Sequence, residues 1–284
     1  PAVDVTTEHL LLSAGTNIAA GDNHIETTVT TLTTNSGTEN GADNGTYVSE
    51  STGLTVDSVT IAVNRVGPSA GTTTQDWNQE GLTSVNDGAV VLVVSGGDLT
   101  LNDGDDADEK TAHAAGSGNV LLDVNGSATV LGNVHGGSGN ISLVTGSDLT
   151  QGAADNTIGD ITSTAGTIDA EAGGDIVMHP GNSAATSDAN VRYRAAGTME
   201  VGATTAANAA VSLHADNITD STGAGDSKTD VTANNLRIET DVTSGGAGEG
   251  DDQDLAHRPF VLHHQPQVEP GDGEGLAGAG AGLD

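Results

Sequence analysis

The residues best suited to chemistry in this chain are acids. The stretch "NDGDDADE", residues 102 to 109, gathers Asp103, Asp105, Asp106, Asp108 and Glu109 around Gly104. Carboxylates at this density are the hard oxygen ligands that calcium takes, and Asp103, Asp105, Asp108 and Glu109 are the set an ion would draw on. The stretch departs from an EF-hand loop, because counting from Asp103 no Gly stands sixth and no Glu twelfth. The Gly- and Asp-rich nonapeptide of calcium-binding β-rolls is absent as well. A solvated acidic loop accounts for the same residues without an ion.

Basic and aromatic residues offer less. Arg192 and Arg194 alternate in "NVRYRAAG" and therefore share one face of a strand. A polysaccharide lyase or hydrolase needs paired carboxylates beside such groups, and none lie in that stretch. Asp105-Asp106 and Asp251-Asp252 fall in loops. His135 and His179 follow strands with no Ser or Asp at a diagnostic spacing and read as surface histidines, while His263 and His264 belong to the C-terminal stretch. Trp77, Tyr47, Tyr193 and Phe260 are too scattered for a sugar-binding platform, which leaves a local epitope around Trp77 in "TTTQDWNQEG". No catalytic residue and no cofactor other than calcium is expected, and the chain reads as non-enzymatic.

Composition narrows the partners. Forty acidic residues against seven basic ones give a formal charge of -33. Such charge opposes nucleic acid and anionic lipid. No apolar run approaches the ~20 residues of a membrane span, so direct membrane insertion is not expected. Cysteine is absent, which removes disulfides, thiolate metal sites and a cysteine nucleophile. With 41 Gly but one Trp, one Phe and two Tyr, any core must be thin and aliphatic. The chain opens at Pro1 with no basic and apolar leader, and so reads as a processed product or an internal piece of something longer.

The elements that would carry these residues repeat. Apolar runs begin at Val120, Ile141, Ile168, Val191 and Val211, spaced by 21, 27, 23 and 20 residues. A second series follows each run after a small-residue corner. Its lead residues Leu99, Thr129, Leu149, Ile176 and Met199 are spaced by 30, 20, 27 and 23. Within each unit apolar residues alternate, as Val120, Leu122 and Val124 do, which is strand periodicity. Units of 20 to 27 residues, each with two short strands and a Gly corner, predict the coils of a parallel β-helix. One coil cannot bury its inner face, but a stack can. The corner glycines are expected at positive φ. Asn119, Asn140 and Asn190 are expected to bond their own turns and stack between coils, and Asp98, Asp148 and Asp175 to turn to solvent.

This predicts an all-β solenoid over residues 1–250, regular at 88–240 and looser at 1–87, then a disordered acidic, Gly-rich tail at 251–284. In the looser part, 3–20 and 53–63 read as strands, and 33–51 and 67–87 as loops. "TDVTANNLRI" at 229–238 matches "VDVTTEHLLL" at 3–12 with an offset of 226, which suggests that a superrepeat begins again.

The stretches "GSGNISLVTGSDLTQGA", "GTIDAEAGGDIVMHPG" and "NVRYRAAGTMEVGA" resemble the repeats of large bacterial surface proteins of the filamentous-haemagglutinin and autotransporter-adhesin type. The resemblance covers about residues 88–240 and, more loosely, 1–66. It implies a right-handed parallel β-helix at the bacterial surface or outside the cell, acting as a stalk or matrix segment in adhesion. Its implied partners are neighbouring repeats of the same parent protein and host-surface or matrix glycans or proteins. The alternatives are a calcium-dependent adhesin segment and a β-helix enzyme acting on polysaccharide.

Overall fold

A computed structural model describes residues 2–37, 45–104, 108–154, 158–221 and 229–240. The stretch 251–284 lies outside them, as do Asp105 and Asp106.

The described residues form an all-β solenoid of about nine turns without a helix, with coils of about 23 residues. All strand pairings in the main sheet are parallel, and register fixes the stacking. On one face Leu12, Thr34, Leu82, Ala112, Val134, Ile161, Ala184, Thr204 and Val231 pair in unbroken succession. Each of these residues marks one coil, and we number coils 1 to 9 by them.

Strands β1 (Val5–Ser13) and β2 (Ile25–Ser36) are each long enough to run round the corners of coils 1 and 2. From coil 3 onward three short strands serve three faces. The first face holds β3 (Thr46–Glu50), β8 (Val90–Val94), β11 (Val120–Val124), β14 (Ile141–Thr145), β17 (Ile168–Ala172) and β20 (Val191–Ala195). The second holds β4 (Leu54–Val56), β9 (Leu99–Leu101), β12 (Ala128–Val130), β15 (Leu149–Gln151), β18 (Ile176–Met178), β21 (Thr198–Val201) and β23 (Asn217–Asp220). The third holds β7 (Leu82–Ser84), β10 (Lys110–Ala114), β13 (Asn133–His135), β16 (Ile161–Ser163) and β19 (Ser183–Thr186). Strands β22 (Ala203–Ala215) and β24 (Val231–Thr240) pass from the third face to the first. An antiparallel hairpin, β5 (Val59–Val66) and β6 (Thr72–Gln79), interrupts coil 3.

Alternation sets the core. On the first face Val48, Leu92, Leu122, Leu143, Ala170, Tyr193 and Leu213 form a buried inward column. Ala170 leaves room beneath Tyr193, whose hydroxyl donates to Gln151 Oε1 at 2.9 Å inside the core. Burial pushes that hydroxyl's pKa up, so it stays a donor.

Four expectations need correction. The second series pairs Leu99 with Ala128, not Thr129, and Ala128 with Leu149. Ala128 is the small inward residue and Thr129 faces out, so an apolar-or-Thr choice one residue along was the wrong one. Residues 46–50 and 72–84, expected as loop, contain strands. The superrepeat does not match coil position. Val5 sits in the column of Thr27 and Glu50, whereas Val231 sits in that of Leu12. Strands on every face share one alternation, which is enough to make two short segments look alike.

The corner glycines are chosen for space. Among Gly96, Gly97, Gly126, Gly146 and Gly173 only Gly97 has positive φ, at 84°. A Cβ on Gly146 would collide with the carbonyl oxygen of Asn125, and one on Gly173 with that of Gly146. Coils approach too closely there for any side chain.

Corner acids and amides reach the next coil. Asp98 Oδ1 accepts the Ser127 N–H at 2.8 Å, Asp148 that of Asp175 at 2.8 Å, and Asp175 that of Thr198 at 2.6 Å. Asn119 takes the Asn140 N–H at 2.8 Å, Asn140 that of Thr167 at 2.9 Å, and Asn190 that of Ala210 at 3.0 Å. The carboxylates stay partly exposed, yet each satisfies a backbone donor, which offsets repulsion along the column.

Candidate functional site

Strand "IDAEA" in coil 7 must turn Ile168, Ala170 and Ala172 inward, so Asp169 and Glu171 face out. Strand "VRYRA" in coil 8 does the same with Arg192 and Arg194. Register then places Arg192 beside Asp169 and Arg194 beside Glu171. Arg192 Nε and Nη2 donate to Asp169 Oδ1 and Oδ2 at 2.6 and 2.8 Å, and Nη2 also reaches Glu171 Oε2 at 3.3 Å. Arg194 Nη1 donates to Glu171 Oε1 at 2.5 Å. These four side chains are 36 to 48% exposed.

The hydrogen bond to Asp169 raises the Arg192 pKa above its ordinary value, against a smaller opposing effect of burial. A guanidinium so held takes no proton at neutral pH. The cluster is thus an array of fixed charges. Sequence reading found the arginines and missed their acids, which come from the preceding coil. The signal was available, since Ile168 and Val191 already aligned at 23 residues.

A second cluster lies on the third face, where His113 and His135 are register partners. Their ring centroids are 5.2 Å apart, and His135 Nδ1 lies 2.9 Å from Thr162 Oγ1. Burial, then the neighbouring His135 and Lys110, lower the His113 pKa to about 4. Burial and Lys110 lower that of His135 too. His135 is therefore not the free surface histidine that its sequence context suggests. It borders a shallow depression of about 270 Å³ lined mainly by Thr162, Thr164, Thr186, Ser187 and Thr205. Neutral imidazoles and hydroxyls there can exchange hydrogen bonds with a polar ligand. No nucleophile with an adjacent base is formed among them.

Models of known families, curated proteins and solved structures all give no match to this chain.

The acidic loop is placed in part. Asp103 is half-buried at the end of β9, while Asp108 and Glu109 are exposed just before β10. Asp108 Oδ1 accepts the Lys110 N–H at 2.9 Å and its Oδ2 pairs with Lys110 Nζ at 3.2 Å. Glu109 adopts φ 59°. Among the described residues no group of three or more His, Asp or Glu side chains is arranged to hold a metal ion. Asp105 lies outside those residues. His179 is half-buried at the end of β18, where its carbonyl accepts from Asn182 Nδ2 at 3.2 Å.

One buried acid escaped sequence reading altogether. Glu50 is fully buried and accepts four hydrogen bonds, from Thr27 Oγ1, the Val29 N–H, the Thr52 N–H and Thr52 Oγ1, at 2.7 to 3.0 Å. It joins coil 3 to coil 2, and its saturated oxygens make it structural.

Proposed function

We propose that the chain is a rigid spacer, a stalk or matrix segment of a large extracellular bacterial surface protein of the filamentous-haemagglutinin and autotransporter-adhesin type that serves adhesion without catalysis. The observation that carries this reading is the inward column of nine residues running unbroken from Leu12 to Val231. Eight coil spacings of ~4.8 Å make a rod of roughly 40 Å in which each coil is bonded in register to the next. The repeats quoted above supply the resemblance, and the acidic composition suits a solvated surface. Antibodies raised against the folded chain should label intact cells of the source bacterium. Labelling only after permeabilisation overturns the assignment.

A second reading draws on Asp169, Glu171, Arg192 and Arg194, which bring paired carboxylates beside bases on one exposed face. A β-helix enzyme acting on acidic polysaccharide would use such a face. Incubation with pectic, alginate and glucan polymers, with and without calcium, is expected to release no reducing ends and no unsaturated uronate. Turnover lost in Arg192→Ala would favour the enzyme. The calcium-dependent adhesin would instead show saturable stabilisation by calcium over magnesium at equal ionic strength, lost when Asp103, Asp105 and Asp108 are changed together to Asn.

A further inference from the structure

The hairpin of β5 and β6 is the only antiparallel sheet among the described residues. It leaves coil 3 between β4 and β7, beside the corner that Thr33 makes in coil 2. Its base crosses two coils. Gln79 Nε2 donates to Thr33 Oγ1 of coil 2 at 3.2 Å and to the Leu12 carbonyl of coil 1 at 3.0 Å. Val59, the cross-strand partner of Gln79, is buried. The hairpin therefore runs from coil 3 back toward the N-terminal end. With strands of eight residues, it extends about 20 Å past its base, roughly four coil spacings.

Side chains alternate, so the face that starts with Val59 and Gln79 continues through Ile61, Trp77 and Val63. These three are 39, 55 and 45% exposed. The face that grips coils 1 and 2 at its base is thus apolar beyond them, where no described residue covers it. Beside it, β1 pairs with β2 alone among the described strands, and Leu10 and Leu12 are only partly buried against the core. An open edge next to an apolar overhang calls for more coils.

We propose that this end receives the C-terminal end of a second copy of the chain, stacked coil on coil, with the hairpin clasping its flank. The inference deepens the spacer reading and rests on it, because it names what continues the rod. The occupant follows from the columns. A coil laid on β1 must bring an apolar residue to the column of Leu12 and an outward polar one to that of His9. The C-terminal end presents Val231 in the first column and Thr219 in the second. That end is also unfinished. Leu236 and Val231 are only partly buried, Ile238 is 51% exposed, and β24 pairs with β22 alone among the described strands. Such a contact is heterologous and propagates into filaments. The acidic surface opposes it at low ionic strength.

The full chain provides its own probes, having one tryptophan and no cysteine. In sedimentation velocity, raising salt from about 0.05 to about 1 M should convert monomer into end-to-end multimers as the Debye length shrinks. Trp77 fluorescence should shift to the blue in step. Trp77→Ser and Ile61→Ser should each weaken association about tenfold or more while leaving the thermal melt unchanged. Strand spacing of ~4.8 Å suits a disulfide. His9→Cys with Thr219→Cys should therefore give a ladder of linked multimers on mild oxidation, and either single variant at most dimers. A chain that stays monomeric at every salt and concentration overturns the clasp, and so does a Thr219→Cys single variant that links as fully as the pair. Monomers with an intact β-sheet circular-dichroism spectrum leave the spacer reading standing, because its own test is labelling of cells.

Discussion

Coils 2 and 3 share their cross-section with coils 4 to 8 but not their interior. The two early coils bury Thr27, Thr33, Thr34, Ser36, Thr46, Glu50 and Ser84. The five later coils together bury Thr111, Thr145, Gln151, Ser163, Asn182, Thr186 and Thr204, spread among Val, Leu and Ile. Each early side chain needs a partner. Thr33 Oγ1 donates to the Gly81 carbonyl at 2.9 Å, Thr46 Oγ1 to Ser36 Oγ at 3.0 Å, and Glu50 collects four donors. One solenoid can thus be closed in two ways, by apolar burial or by a saturated polar interior, and the two should fail differently.

The sharpest break is expected in the apolar part. Leu122 is 2% exposed between Leu92 and Leu143, and Leu122→Asp buries a charge without a partner. A loss above about 4 kcal/mol should appear in thermal or denaturant unfolding. Asp123→Ser, one residue along on the solvent face, should move stability by less than about 0.5 kcal/mol. Equal losses from both would refute the alternation.

Glu50→Ala tests the polar part. It strands the Val29 N–H and the Thr27 hydroxyl in the core and should cost about 3 kcal/mol. Hydrogen exchange should localise the loosening to coils 1 to 3. Uniform loss of protection through coil 8 would show that the two interiors act as one unit.

A smaller effect sharpens the comparison by pH. His113 in the folded chain stays neutral down to about 4, whereas its unfolded value is 6.5. The unfolded chain therefore binds the extra proton in between. Its contribution to stability is fully present above about 6.5 and is lost as pH falls to about 4. The melting temperature of His113→Gln, followed over that range, should decline less than that of the parent chain. Equal slopes would place the titration elsewhere. Last comes Asp148→Ala, which removes one acceptor for the Asp175 N–H and should cost about 1 kcal/mol in the same unfolding measurement.

The contrast also explains what was legible from residue order. In coils 4 to 8 inward positions carry Val120, Leu122, Ile141 and Ile168, and alternation exposes both strand and spacing. In coil 2 the inward side of "IETTVTTLTTNS" includes Thr27 and Thr34, chemically the same as outward Thr31. No apolar rhythm exists there to be read. The same blindness hid Glu50, which looks like any surface acid until Thr27 and Thr52 surround it. The Arg192 cluster was half legible, because its geometry depends on two strands a coil apart.

The corner bonds give the stack a polarity. Asp4, Asn17, Asp87, Asp98, Asn119, Asn133, Asn140, Asp148, Asp160, Asp175 and Asn190 each accept a backbone N–H from the coil that follows in the chain. A finished coil therefore holds out oxygen acceptors to a coil not yet laid down. Each turn acts as a template for its successor, and growth in the order in which a chain leaves a pore or ribosome meets waiting acceptors at every corner. Growth from the other end would have to bury donors against acceptors that had not arrived.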